Sequence, residues 1–232
     1  MPIDQLEILA LSYLWPFLRI SALLMVAPVF GAGTVSVRIR VVLAALLSAL
    51  MAPMLPVNAA IEFFSAPGIL MALREIVIGL AMGFVMQMIF GAVVLAGQSI
   101  ATGMGLGFAM AVDPQNGVQV PIVSQIKVVI ATLLFLAIDG HLMLLSAVFQ
   151  SFVLVPLTDP GFAVTGFENV VSLGSQLFAS ALLLGLPTLT AVLMINVAFG
   201  VITRASPQLN IFAVGFPVTI VVGLVFLFLG MP

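Results

Sequence analysis

Six long apolar runs dominate the chain, at about 6–29, 39–56, 68–97, 122–150, 172–203 and 211–230. Each is close to the roughly 20 residues needed to span a bilayer as a helix. The runs are continuous rather than alternating, which argues against a transmembrane barrel. Inside lipid the backbone must satisfy its own hydrogen bonds, so the runs predict helices. The expected fold is all-α, with six long hydrophobic helices in a membrane-type subunit. The third and fifth runs stay helix-compatible for about 30 residues, or about 45 Å, against a hydrocarbon core of about 30 Å. Strong tilt and extension beyond the bilayer onto partner subunits are both compatible with that excess.

Composition sharpens the picture by exclusion. The chain has 232 residues, 63% of them hydrophobic, with only 6 Lys+Arg and 8 Asp+Glu. So few charges cannot cover a water-soluble monomer. A net charge of −2 with no basic stripe excludes nucleic-acid binding. Without cysteine there is no disulfide framework, and with His141 as the single histidine there is no His-rich metal site. Asp4, Glu7, Trp15-Pro16 and Arg19 are unlike a signal peptide, so the first helix is expected to be retained. Arg38, Arg40, Lys127 and Arg204 lie at odd-numbered loops, whereas Glu62, Asp159 and Glu168 lie at the second and fourth. The positive-inside rule then places the odd loops in the cytoplasm and both chain ends on the other side. The most polar break is 157–169, and 97–121 is the longest stretch expected to be non-helical.

Motifs for catalysis are missing: there is no G-x-x-x-x-G-K-[ST], H-E-x-x-H or G-x-S-x-G. Gly103, Gly105 and Gly107 form G-x-G-x-G, but no strand precedes them and no acidic ribose partner follows. Asp139-Gly140-His141 supports either a proton relay or a polar helix break at a membrane boundary, and Gly140 favours the break. On the third helix Glu75, Gly79, Gly83, Gln87 and Gly91 recur at steps of four and share one face. That face predicts a packing seam, within the chain or between subunits, with glycines admitting a neighbouring backbone. Arg74 points about 100° away from Glu75 along the helix and is not its automatic ion-pair partner. The segment 105–117 mixes glycines with Phe108 and Met110, and Asp113-Pro114-Gln115-Asn116-Gly117 is turn chemistry. Its apolar side chains should bury against something, or plug an opening.

Several stretches, in this order, carry a resemblance: Ala27-Pro-Val-Phe30, Val37-Arg-Ile-Arg40, Arg74-Glu-Ile-Val-Ile-Gly79, Gly105-Leu-Gly-Phe-Ala with Val112-Asp-Pro114, Leu134 through His141, and above all Gly200 through Ile211 followed by Val214-Gly-Phe-Pro217. Together with Arg19 they resemble the FliR/SctT family of the type III secretion export apparatus, over nearly the whole chain. Asp113-Pro114 and Pro207-Gln-Leu-Asn210 are closer to the flagellar branch.

The resemblance implies a non-enzymatic subunit without cofactors, assembled with FliP and FliQ into an export gate for unfolded flagellar subunits. The gate would sit in the bacterial inner membrane, within the flagellar basal body, in contact with lipid. Residues 1–160 would be FliP-like, with a plug loop at about 105–117 (Gly105, Gly107, Phe108, Met110, Asp113, Pro114). Residues 170–232 would form a FliQ-like hairpin whose cytoplasmic tip, Arg204, Pro207, Gln208 and Asn210, meets FlhB. Relatives often extend beyond a point such as Pro232, so a C-terminal extension is expected to be missing. The competing reading is a self-contained proton-coupled transporter using Glu75, Asp139 and His141; an intramembrane protease lacks its motif.

Overall fold

The computed structural model describes residues 3–31, 35–55, 64–106, 121–157, 164–206 and 211–230, without side chains for 3–9, 164–167 and 211–212. Its described residues hold helices and turns and no strand, which makes the fold all-α. The helices are α1 (Ile3–Val26), α2 (Val37–Met51), α3 (Ala66–Gly103), α4 (Ile122–Ala137), α5 (Gly140–Leu154), α6 (Val164–Ala205) and α7 (Ile211–Leu229). A single 3-10 turn, Ala52–Met54, prolongs α2. Three stretches are long and apolar enough to cross a membrane: Val37–Met54, Ala66–Gly103 and Glu168–Ala205. The α4–α5 pair makes a fourth if it is counted as one broken span.

Two features differ from the simple run-counting picture. The third run continues as helix to Gly103, so the start of the expected loop at 97–121 is helical instead. Apolar residues continue to that point, and Gly103-Met-Gly105 is the first place where the chain can turn. The turn itself is a Schellman arrangement: Leu106 N–H donates to the Ala101 carbonyl at 2.9 Å and Gly105 N–H to Thr102 at 3.0 Å. It needs a left-handed residue, and Gly105 supplies φ +80°. The fourth run is two helices bent by 66°. At the bend Asp139 adopts φ 58°, ψ 28°, and its carbonyl accepts from Leu142 and Met143 to start α5. Gly140 is required there, because a Cβ would collide with the Phe135 ring.

The chain forms two compact units, residues 1–88 with 134–173, and residues 89–133 with 174–232. Their borders fall inside α3, α4 and α6, not at the polar stretch 157–169. In the first unit, the α1 face Ile20, Leu23 and Leu24, with Ala27 just past the helix end, buries with Trp15 against Leu144, Val148 and Phe152 of α5. The spacings 20, 23, 24, 27 and 144, 148, 152 put each set on one helical face. Ala44 of α2 and Met71 of α3 complete that core. In the second unit, Ile100, Ala101 and Met104 bury with Val123 of α4, Val192 of α6 and Leu227 of α7.

Candidate functional site

The chemistry of the first unit collects around one carboxylate. Glu75 and Arg19 are fully buried within long, mostly apolar runs, with Arg74 as the charged sequence neighbour of Glu75. An isolated charge there is very costly, so each needs the other. Arg19 Nε donates to Glu75 Oε2 at 2.6 Å and Nη2 to Oε1 at 3.0 Å, a bidentate pair across 56 residues of sequence. The remaining donors reach α5: Nη1 to Ser151 Oγ at 3.0 Å and Nη2 to the Val155 carbonyl at 3.0 Å. Ser151 Oγ in turn donates to Val148 at 2.7 Å, and the guanidinium lies 4.1 Å from the Phe152 ring centroid. Arg19 thereby ties α1, α3 and the end of α5 together with charge-assisted bonds. Arg74 also is buried, 3.9 Å from Glu75, and donates from Nη1 to the Pro156 carbonyl at 3.3 Å.

The stripe on α3 splits. Below Glu75, the glycines face α1: a Cβ at Gly79 would fall on the Arg19 carbonyl and Ala22, and one at Gly83 would lie 3.0 Å from the Leu23 carbonyl and from Val26 Cβ. Gln87 is exposed. Gly91 belongs to the second unit, where its nearest neighbour is Leu177 of α6. Reading the sequence missed the partner of Glu75. The signal was there as an Arg within the first apolar run, far from any acid along its own helix, and a Glu in the third, since intramembrane charges pair; Arg74 beside Glu75 obscured it.

The second unit closes by close approach rather than by charge. A Cβ at Gly97 would meet the Ser124 Cα at 2.6 Å, and Ser124 Oγ donates to the Val94 carbonyl at 3.2 Å. Gly223 of α7 receives the Met104 side chain, and the Phe216 ring covers Gly105. Asn196 of α6 donates to the Gly103 carbonyl at 3.3 Å, satisfying one of the last acceptors of α3.

Among the remaining candidates, Asp139 is exposed and makes no side-chain capping bond. His141 is half-buried, with Nδ1 buried and unpartnered among the described residues. The described groups include no cluster of three metal-ligating side chains. Of the loop candidates, Gly105 and Arg204 are described, whereas Gly107, Phe108, Met110, Asp113, Pro114, Pro207, Gln208 and Asn210 lie outside the described residues.

Comparison with known proteins places these features in a family. Residues 10–232 match the bacterial export proteins, family 1. The flagellar biosynthetic protein FliR of Pectobacterium carotovorum subsp. carotovorum is 39% identical over 95% of this chain and 84% of its own. FliR of Escherichia coli (strain K12) is 39% identical over 91% of this chain and 81% of its own. FliR of Bacillus subtilis (strain 168) is 29% identical over 93% and 84%. With a match that runs from the first helix to the last residue and relatives of that identity over most of their length, the chain belongs to the FliR family of bacterial export proteins.

Proposed function

We propose that the chain is a subunit of the flagellar protein export gate, helping to form and close the channel through which unfolded flagellar subunits cross the bacterial inner membrane. In this reading it works without covalent chemistry or a cofactor, in contact with FliP, FliQ and FlhB. Residues 1–160 and 170–232 would correspond to FliP-like and FliQ-like parts.

The observation that carries the reading is the apolar surface of α6. Val171, Phe178, Leu183, Leu193, Val197 and Val201 are all exposed. They span about 45 Å of helix at 1.5 Å per residue. Fitting that into a hydrocarbon core of about 30 Å needs a tilt near 48°, beyond the usual range of up to about 40°. Part of this surface therefore calls for protein neighbours, as in a multi-subunit helical assembly. A transporter using Glu75 is disfavoured, because both carboxylate oxygens are already engaged by Arg19.

Co-expression tests the assembly. The chain should purify as a stable complex with FliP and FliQ and aggregate without them; a stable monomer or homo-oligomer would overturn the reading. Deleting 106–113 should raise ion leak while assembly persists, because apolar side chains at a constriction exclude ions by dewetting. Unchanged conductance in the assembled deletion variant would remove the plug. Cysteine at Ser206 should react with an impermeant thiol reagent only from the cytoplasm and crosslink to FlhB. Periplasmic labelling would reverse the topology, and labelling without a crosslink would remove the FlhB contact.

A further inference from the structure

One face of α6 is polar at one end of the helix and apolar at the other. At about 100° per residue, Glu168, Asn169, Ser172, Ser175, Gln176 and Ser180 fall within an arc of about 140°. All are exposed, and the only other residue of 168–180 in that arc is Ala179. Farther along, the same arc carries Leu183, Leu186, Leu193, Met194, Val197 and Val201, exposed as well. The one hydroxyl among them, on Thr190, donates to the Leu186 carbonyl at 2.7 Å. Serine hydroxyls also bond back to their own helix, as Ser172 does to the Asn169 carbonyl at 2.7 Å, and such groups tolerate lipid. A carboxylate and two carboxamides do not. Glu168, Asn169 and Gln176 expose more polar groups than one helix can satisfy, and hydrocarbon offers them no partner. The arc suits water up to Ser180 and lipid from Leu183.

Other features of the second unit put a boundary at the same height. Leu182 to Arg204 measures about 33 Å of helix, close to a hydrocarbon core of about 30 Å, with a charge at its far end. The short link 206–210 returns α7 antiparallel to α6. Gly103 lies against Leu189 and Val192 of α6, and the adjoining Met104 fills Gly223 of α7, so Gly223 stands level with about residue 190. From there α7 runs about 9 Å farther to its end at Leu229, level with about Leu184. α6 therefore loses its hairpin partner where its outer arc turns polar. Pro187, inside the helix, leaves the Leu183 carbonyl without its usual amide, and at a membrane border water and headgroups supply the donor. We propose that α6 crosses the bilayer only from about Leu182 to Arg204, and that residues 168–180 stand in water on the side opposite Arg204. The excess length is thus taken up by extension out of the bilayer, not by tilt. Val171 and Phe178, exposed on the other side of the same stretch, lie beyond the reach of lipid and are left for a protein neighbour. The placement requires the chain to lie in a bilayer, and is independent of whether it gates a channel.

The chain has no cysteine, so single cysteines can carry a nitroxide at each exposed position of the arc. The chain is placed in nanodiscs with FliP and FliQ, and each nitroxide is relaxed with molecular oxygen, which enters hydrocarbon, or with a neutral nickel chelate, which stays in water. Labels at Ser172, Gln176 and Ser180 should meet nickel, and labels at Leu183, Leu186, Leu193 and Val197 should meet oxygen. The oxygen-to-nickel ratio should rise at least about tenfold between Ser180 and Leu186, because a polar complex is excluded from hydrocarbon. It should peak near Leu193, the middle of 182–204. A peak near Leu186, the middle of 168–205, would mean that the whole helix lies in the bilayer and would overturn the border. Exclusion of both probes at 172–180 would mean a protein cover and would overturn the water-facing arc. Ser180→Lys should leave the yield of complex within about twofold, whereas Leu193→Lys should lower it about tenfold or more, since a cation at the bilayer centre is costly. Equal losses would also overturn the border. The accessibility profile can be read equally on the chain alone in nanodiscs, so failure to join FliP and FliQ counts against the export-gate reading only.

Discussion

The two units solve the same problem by different means. Between helices in lipid there is little hydrophobic driving force, so association relies on close packing and polar contacts. The first unit relies on both: Arg19 grips Glu75, Ser151 and Val155, while Gly79 and Gly83 bring α3 against the α1 backbone. The second unit has no charge pair among its described residues and relies on small-residue contacts such as Gly97 against Ser124, with hydroxyls such as Thr219 satisfied within their own helix. A charge pair of this kind holds one register and tolerates no vacancy. A close-packed seam has no such all-or-none partner, and its cost scales with the volume added. The units should therefore fail differently.

The largest effect should come from breaking the pair by halves. Arg19→Ala or Glu75→Ala leaves a buried uncompensated charge, at a cost of about 3–5 kcal/mol. Replacing both, as Arg19→Met with Glu75→Leu, should recover much of that, because the desolvation penalty leaves with the charges. Thermal unfolding of the assembled complex for the two singles and the double measures the coupling. Additive losses would mean that the pair is not the organising contact of the first unit.

Glycine substitutions place the two seams on one scale. Gly79→Ala puts a Cβ onto the Arg19 carbonyl, and Gly97→Ala puts one onto the Ser124 backbone. Each should cost about 1–3 kcal/mol, since backbone must move. Gly79→Leu with Gly83→Leu should abolish motility in a complementation assay; normal swimming would show that α1 and α3 can separate without harm. Gly223→Ala should be milder, about 1 kcal/mol, because the atoms it meets first belong to the Met104 side chain and not to backbone. If Gly223→Ala proved worse than Gly97→Ala in unfolding temperature, the second unit would depend on α7 more than on the α3–α4 contact. The smallest effect belongs to Gln87→Ala, at an exposed position, under about 1 kcal/mol in the same measurement.

Much of this was written locally. The helices, their excess length, the break at Asp139-Gly140 and the absence of catalytic motifs are properties of short windows: apolar runs too long for anything but helix, and a glycine at the one place where a side chain would strike Phe135. The family too was legible, because its motifs are short and ordered along the chain. Which helix faces which was a different matter. A helix that is apolar on nearly every side, as α3 is, carries no amphipathic stripe to reveal its neighbour. The glycines marked a face of α3 but not its partner, and that face proved to serve α1 at Gly79 and Gly83 and α6 at Gly91. Only the tertiary structure joined Arg19 to Glu75 across 56 residues, brought Arg74 to the Pro156 carbonyl, and drew the border between the two units through the middle of continuous helices. Composition and periodicity act over a few turns of chain. Charge pairing and backbone approach depend on distance in space, which no window of sequence contains.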